Sequence, residues 1–366
     1  MQYSIFDYLE QVPLNKEIES MVKCDDYRLL NAISKSIVNF QQLPKHQEYC
    51  LSFSGGKDSH VLLAVYCLYL KLGNEPLNLT VKFADTELEH ESLYKTVYLA
   101  RDFCQKNKIP FEIVKGRQSY WYVQYALGYP VPDYFARWCT GKLKVQPMQP
   151  SKRIKAITGR HLGESTSRDK KLKENNSCGS SDTCGVDLIK NKYDPIMHWT
   201  NCLVWDALFY FDGLVLYDGV FDLLQSQYKM AADTKTGSLR LGCFMCPVIA
   251  LNTAKKNLNN GIIDDRGLEI RMHLEELRKA RRIQNPRTQK NGAIHVSDRR
   301  KSWQSLNKKY LLEKGWIKQV DIEAIDKALE SQYAYPPTYK KEWIDLQHHL
   351  LEETDKKNAS RESPSR

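Results

Sequence analysis

Between residues 48 and 161 the spacing of apolar positions switches repeatedly between two kinds. "EYCLSFS" (48–54) is a short, mostly apolar run that predicts a buried strand. "DSHVLLAVYCLYLKLG" (58–73) is apolar nearly throughout and ends at Gly73, which predicts a buried helix. "LTVKFADT" (79–86) predicts a second strand, "ESLYKTVYLARDFCQKN" (91–107) a helix, "PFEIVKG" (110–116) a third strand and "KRIKAITGRH" (152–161) a fourth. Strand and helix alternating at this spacing predict an α/β fold, a doubly wound parallel sheet with helices on both faces. Ligands of such sheets bind beyond the carboxyl ends of the strands, where Ser54, Asp85 and Gly159 fall.

The flanks read differently. "YRLLNAISKSIVNFQQL" (27–43) has a helical pattern, and residues 250–345 read as mostly helical and basic. "RDKKLKENNSCGSSDTCGVD" (168–187) is a polar, Gly/Ser-rich loop, and the last residues have the composition of a disordered tail. The expected division of the 366 residues is an N-terminal helical segment (1–45), a nucleotide domain with a Cys-rich loop (46–250), a helical basic region (251–350) and a tail (351–366). No internal repeat is present in the sequence.

Composition adds a direction. Hydrophobic residues make up 42% and charged residues 27%, as in a water-soluble globular chain. The apolar run Val61 to Leu70 is short of a bilayer span, and residues 1–10 lack the basic start and apolar core of a secretory signal. A cytoplasmic protein without membrane contact is expected. Net charge is +10, and from Arg271 to Lys301 ten Lys or Arg stand against three acids, so nucleic acid or phosphate-bearing ligands are expected partners. Ten cysteines in a cytosolic chain of this length are not a disulfide framework. Cys24, Cys50, Cys67, Cys104 and Cys202 lie in apolar or mixed surroundings and are expected to be buried.

The chemistry concentrates in "SGGKDS" (54–59). Gly55 and Gly56 let the backbone turn tightly and present N–H groups, and the following helix points its positive end at the same place. Lys57 adds a charge, Ser54 and Ser59 add hydroxyls, and Asp58 adds a carboxylate. An anion cradle is one reading and an ordinary strand-to-helix turn with a capping side chain is the other. The spacing is not that of a Walker A loop.

"SGGKDS" resembles the pyrophosphate loop of the ATP pyrophosphatase superfamily. "FADTELEH" (83–90) is similar to the Asp-Thr-Gly-x-Glu segment of its sulfate-reductase branch, with Glu87 in place of the glycine. "RWCTGKLKVQP" (137–147) resembles the Arg-x-Cys-Thr-x-x-Leu-Lys-x-x-Pro segment of the 3′-phosphoadenylylsulfate reductase-like family. "ITGRHLGESTSRDKKL" (157–172) resembles its Gly-x-Arg-x-x-Glu-Ser-x-x-Arg segment with one extra residue. "DPIMHWTNCLVWDALFYFD" (194–212) resembles its tryptophan signature, where Trp199 and Trp205 are expected to pack in the core. The resemblance spans residues 48 to 250. It implies that Ser54 to Ser59 bind ATP with Mg²⁺, that Asp85 lies near the nucleotide, and that Arg137, Lys142, Lys144, Gly159 and Arg160 serve phosphate binding. Cys139, among these cations, is expected to hold a stabilised thiolate.

"RLGCFMCPVI" (240–249) carries Cys243-x-x-Cys246, and Cys178 and Cys184 lie upstream in the Gly/Ser loop. Four thiols suit zinc or an iron–sulfur cluster equally. Arg-x-Gly-Cys-x-x-Cys is similar to the motif of the sulfurtransferase of bacterial DNA phosphorothioation, which implies a 4Fe-4S cluster. In that family the outer ligands follow the tryptophan signature, whereas Cys178 and Cys184 precede it, so Cys139 is the alternative to one of them.

No cysteine follows Cys246, unlike the thioredoxin-dependent reductases, and Trp138–Cys139 replaces the adjacent cysteines of adenylylsulfate reductases. The resemblance therefore implies a sulfur-inserting ATP pyrophosphatase with Lys57, Asp58 and Cys139 as catalytic residues. The expected partners are DNA, with tRNA as the alternative, a cysteine desulfurase as sulfur donor, and other phosphorothioation proteins. An iron–sulfur tRNA thiolase and a non-catalytic zinc-stabilised nucleic-acid-binding subunit are the competing expectations.

Overall fold

Each apolar run of the first 160 residues becomes the expected element in the computed structural model. The structure describes residues 16–133, 136–149, 151, 153–161, 186–187, 192–231, 243, 255, 264–284 and 291–330. They fall into two compact units. The first comprises Met1–Asp85, Glu89–Lys115 and Lys144–Gly242, and the second Thr86–Leu88, Gly116–Leu143 and Cys243–Arg366.

The first unit is built on a sheet of β1 (Tyr49–Phe53), β2 (Leu79–Asp85), β3 (Phe111–Lys115), β4 (Lys155–Ile157), β5 (Val186–Asp187) and β6 (Lys192–Tyr193). The spatial order is 3-2-1-4-6-5. The pairings β3·β2, β2·β1, β1·β4 and β4·β6 are parallel, and β5 lies antiparallel to β6. This is the α/β sheet that the alternation predicts. The chain leaves β1 toward β2 and β3 on one side and returns to β4 on the other. The carboxyl end of β1, where Ser54 begins, is therefore the topological switch point, the place where ligands of such sheets bind.

Helix α1 (Tyr27–Gln41) starts at Asp26, whose carboxylate accepts the Arg28 N–H at 2.8 Å. Helix α2 (Lys57–Lys71) is buried from Lys57 to Tyr69, which explains an apolar pattern without a polar face. Helix α3 (Glu91–Lys106), α4 (Asn201–Phe211) and α5 (Val220–Ala231) complete the unit. Trp199 is fully buried in this core and donates its indole N–H to Ser36 Oγ at 2.9 Å, while Trp205 packs on the core's edge. Cys24, Cys50, Cys67 and Cys104 are buried as expected, and burial pushes the Cys50 thiol up to about 11. Cys202 corrects the expectation: it is exposed, because it lies on the side of α4 opposite the buried Val204, Ala207, Leu208 and Phe211.

Fully buried His60 and partly buried His198 give this unit an acid-sensitive stability. Burial lowers His60 and His198 from the ordinary 6.5 to about 4. Between those values the unfolded chain binds more protons than the folded one, so stability is full above about pH 6.5 and declines as pH falls toward 4. Each histidine is expected to cost about 2 kcal/mol between pH 7 and pH 5. Urea titrations at the two pH values check this, and His60→Gln should flatten the slope.

The second unit joins a π-helical turn, Tyr122–Ala126, to helices α6 (Asp265–Arg278), α7 (Val296–Ser305), α8 (Lys308–Glu313) and α9 (Gln319–Glu330). A two-stranded antiparallel hairpin, β7 (Arg282–Gln284) with β8 (Asn291–Ile294), lies among them and is not visible in the helical pattern of the sequence. Buried Arg299 donates to the carbonyls of Tyr125 (2.6 Å) and Ala126 (2.9 Å), open acceptors at the end of the π turn, and to that of Ile294 (3.0 Å) at the end of β8. Gly128, at φ +70°, passes within 3.0 Å of that guanidinium at the place a Cβ would occupy. Among the described residues no helix is long and apolar enough to cross a membrane.

Candidate functional site

Directly after β1 the chain turns at Gly55, whose φ is +71°. A Cβ there would lie 2.7 Å from Leu93 Cδ1 and 3.1 Å from Val97 Cγ2, both on α3. Conformation and space both demand glycine. Gly56 follows in an extended conformation as the N-cap of α2, with no side-chain cap. Its carbonyl is drawn into the helix, accepting from His60 N (3.2 Å), Ser59 Oγ (2.8 Å) and His60 Nδ1 (3.0 Å). A carbonyl only accepts, so Nδ1 carries the proton and Nε2 accepts from the Tyr217 hydroxyl at 2.9 Å. The neutral imidazole is the state that burial favours. The Lys57 N–H contacts Tyr228 Oη at 3.4 Å. An α-helix of 15 residues thus begins at a glycine pair, with no cap from the N-cap residue itself and only the Tyr228 hydroxyl at its first N–H.

Lys57 and Asp58 are both buried, and the ammonium pairs with Asp58 Oδ1. His161, fully buried after β4, meets the same oxygen at 3.0 Å. Burial works against the Asp58 carboxylate, yet the hydrogen bond from His161 and the charge of Lys57 outweigh it and hold the group down to about 2. Gly159 is the reason β4 comes so close: a Cβ on it would lie 2.9 Å from the Asp58 backbone oxygen. Ser54 Oγ lies 3.3 Å from Ser59 Oγ. Ser54 to Ser59 and Gly159 are thereby brought together, as the sequence suggested.

Arg160 is held by a partner that the motif does not show. Its Nε and Nη2 grip the fully buried Asp194 at 3.0 and 2.6 Å, and Nε also reaches Thr158 Oγ1 at 3.0 Å. This bidentate pair fixes the end of β4. Asp85, at the end of β2, accepts from the Tyr94 hydroxyl at 2.6 Å and pairs with Lys115 at 3.2 Å. Lys144 pairs with the buried Glu89 at 3.1 Å, so two of the sequence motifs meet there. His161, Asp194, Glu89 and Tyr228 are the site residues that motif reading missed. Glu89 was within reach, since it stands at the glutamate of the Asp-Thr-Gly-x-Glu pattern.

Arg137, Cys139 and Lys142 belong to the second unit. Arg137 is exposed, and the Lys142 ammonium sits 4.9 Å from the centre of the Tyr129 ring. Cys139 and Cys243 are both half-buried against the same apolar cluster. Tyr120, deep in that cluster, is raised well above its ordinary pKa by burial and then by the nearness of Cys139, Tyr125 and Cys243. Cys178, Cys184 and Cys246 lie outside the described residues, and among those described no group of three ligand-type side chains surrounds a metal position.

Glu87 stands where the resembling segment has glycine, and its φ is +61°. The left-handed turn is kept although the glycine is not. Its carboxylate pairs with Lys318 at 2.5 Å. Glu87→Gly is expected to be more stable than Glu87→Ala by about 1 kcal/mol, because both lack the pair and only alanine keeps the strain. Thermal unfolding of the two variants measures the difference.

Among the described residues, six cations of the basic run from Arg271 to Lys301 have partners within the protein. Arg271 and Arg278 pair with Glu275, and Arg281 pairs with Asp298. Arg282, Arg299 and Arg300 donate to backbone carbonyls.

Residues 48–249 match the family model described as phosphoadenosine phosphosulfate reductase domain. No similar protein was found among the curated proteins.

Proposed function

Because the chain belongs to the phosphoadenosine phosphosulfate reductase domain family, a family of sulfur-related, nucleotide-using enzymes of the PP-loop type, we propose that it is an ATP-dependent sulfurtransferase. The observation that carries this reading is the glycine turn at the sheet's switch point, with the N-terminus of a long helix, Lys57 and Asp58 gathered on it. Such a site suits a polyphosphate, held by backbone N–H groups and one ammonium.

In the proposed reaction a non-bridging oxygen of a substrate phosphate attacks the α-phosphorus of ATP, and pyrophosphate leaves. Sulfur at the sulfide level then attacks the activated phosphorus, and AMP departs with the oxygen, leaving a phosphorothioate. Lys57 and the N–H groups of α2 stabilise the charge that develops on the leaving pyrophosphate. Mg²⁺ would be held by the phosphates and Asp58 and would supply charge neutralisation. A cysteine desulfurase partner would provide sulfur as a persulfide, which an external dithiol would reduce to sulfide, itself becoming the disulfide.

The nucleic-acid substrate is DNA in this proposal, in keeping with the net charge of +10 and with the Arg-x-Gly-Cys-x-x-Cys motif at Cys243. The thiols of Cys139 and Cys243, both beside Tyr120, favour Cys139 as a ligand alongside Cys243 and Cys246, with Cys178 and Cys184 as the remaining candidates. Soft thiolates suit a 4Fe-4S cluster or zinc, and when bound a cluster would supply sulfur and electron chemistry. Mass spectrometry of nucleosides from host cells with and without the gene tests the substrate. Loss of DNA phosphorothioates on deletion supports the proposal, whereas intact DNA with a missing thiolated tRNA base identifies a tRNA thiolase instead.

A further inference from the structure

We propose that His161 is a positioning residue for the metal–nucleotide complex, fixing the Asp58 carboxylate so that Oδ2 is the oxygen offered to Mg²⁺. The inference rests on the reading of the glycine turn as an ATP site.

The geometry begins at β4. Gly159 allows the backbone beyond the strand to press on the first turn of α2, where any Cβ would meet the Asp58 backbone oxygen at 2.9 Å. Two residues later His161 is wholly buried, and a buried imidazole requires a partner. One partner is Asp58 Oδ1 at 3.0 Å, the same oxygen that Lys57 Nζ holds. A carboxylate oxygen has two lone-pair directions, and both are used. Among the described residues Oδ2 accepts no hydrogen bond, although the side chain is only 7% exposed. Donors from two directions prevent the carboxylate from rotating, so the remaining oxygen is presented in one orientation beside the glycine turn. Lys57 is required to follow the phosphates when they arrive. His161, which comes from the strand end and not from the loop, keeps Asp58 in place when it does. This is how a group behind a ligand orients it.

Calorimetric titration of the full chain with an ATP analogue bearing a methylene between the α- and β-phosphorus, with and without Mg²⁺, tests the inference. The wild type is expected to bind the Mg²⁺ complex more tightly than the free analogue. His161→Ala should lose about tenfold of that Mg²⁺-dependent gain and keep its Mg²⁺-free affinity. His161→Gln, which retains an N–H donor, should recover most of it. A gain unchanged in His161→Ala overturns the inference and leaves the ATP reading standing, as does an equal loss in both arms that His161→Gln fails to restore. A wild type that binds neither form overturns both.

Discussion

Lys57→Ala is expected to lower pyrophosphate release from ATP by about a hundredfold or more, the usual effect of removing a charged group that stabilises a transition state. Lys57 is buried at the mouth of the glycine turn, so its ammonium acts where water screens little. It is also one of two groups that keep Asp58 ionised against burial. Its removal therefore takes away the proposed phosphate partner and weakens the ionisation of the carboxylate beside it. A pyrophosphate-coupled assay measures the effect, and a melting curve separates it from loss of fold. Activity within about threefold of wild type would mean that the charge developing in the transition state is held elsewhere.

Gly55→Ala is expected to destabilise the protein by about 2 kcal/mol, mostly from forcing a side chain into the left-handed region. The methyl would also meet Leu93 Cδ1 at 2.7 Å, but that is the tip of a side chain and can yield. The two contributions are separable. In a double-mutant cycle with Leu93→Ala, only the steric part should be recovered. Urea unfolding of the four proteins gives the coupling, and a cycle in which the whole cost of Gly55→Ala disappears would refute the conformational argument.

The sheet and the glycine turn were legible because they depend on local sequence. Period, length and the bounding residues are enough to mark Tyr49–Phe53, Leu79–Asp85 and Phe111–Lys115 as strands, and the helix after Gly56 follows from its apolar run. The site around the turn was only half legible. Gly159 and Arg160 stood in a motif, but nothing in it shows that Asp194, 34 residues further on, takes the guanidinium. His161 meets Asp58 across 103 residues, and one buried histidine has no periodic signature. Glu87 shows the converse: the residue departs from the expected glycine while the backbone keeps the glycine's conformation. In the second unit Arg299 reads as surface charge within a basic run, yet it is buried because the π turn needs donors for its carbonyls. Charge in a sequence carries no information about which cations face inward.

The central claim is that ATP is cleaved between its α and β phosphates. Phosphorus NMR of the products formed by the anaerobically prepared protein with ATP, Mg²⁺, DNA and sulfide tests it most directly. AMP and pyrophosphate in equal amounts, both absent with Lys57→Ala, are the predicted result. ADP and inorganic phosphate, or AMP and pyrophosphate formed equally well by Lys57→Ala, would contradict it.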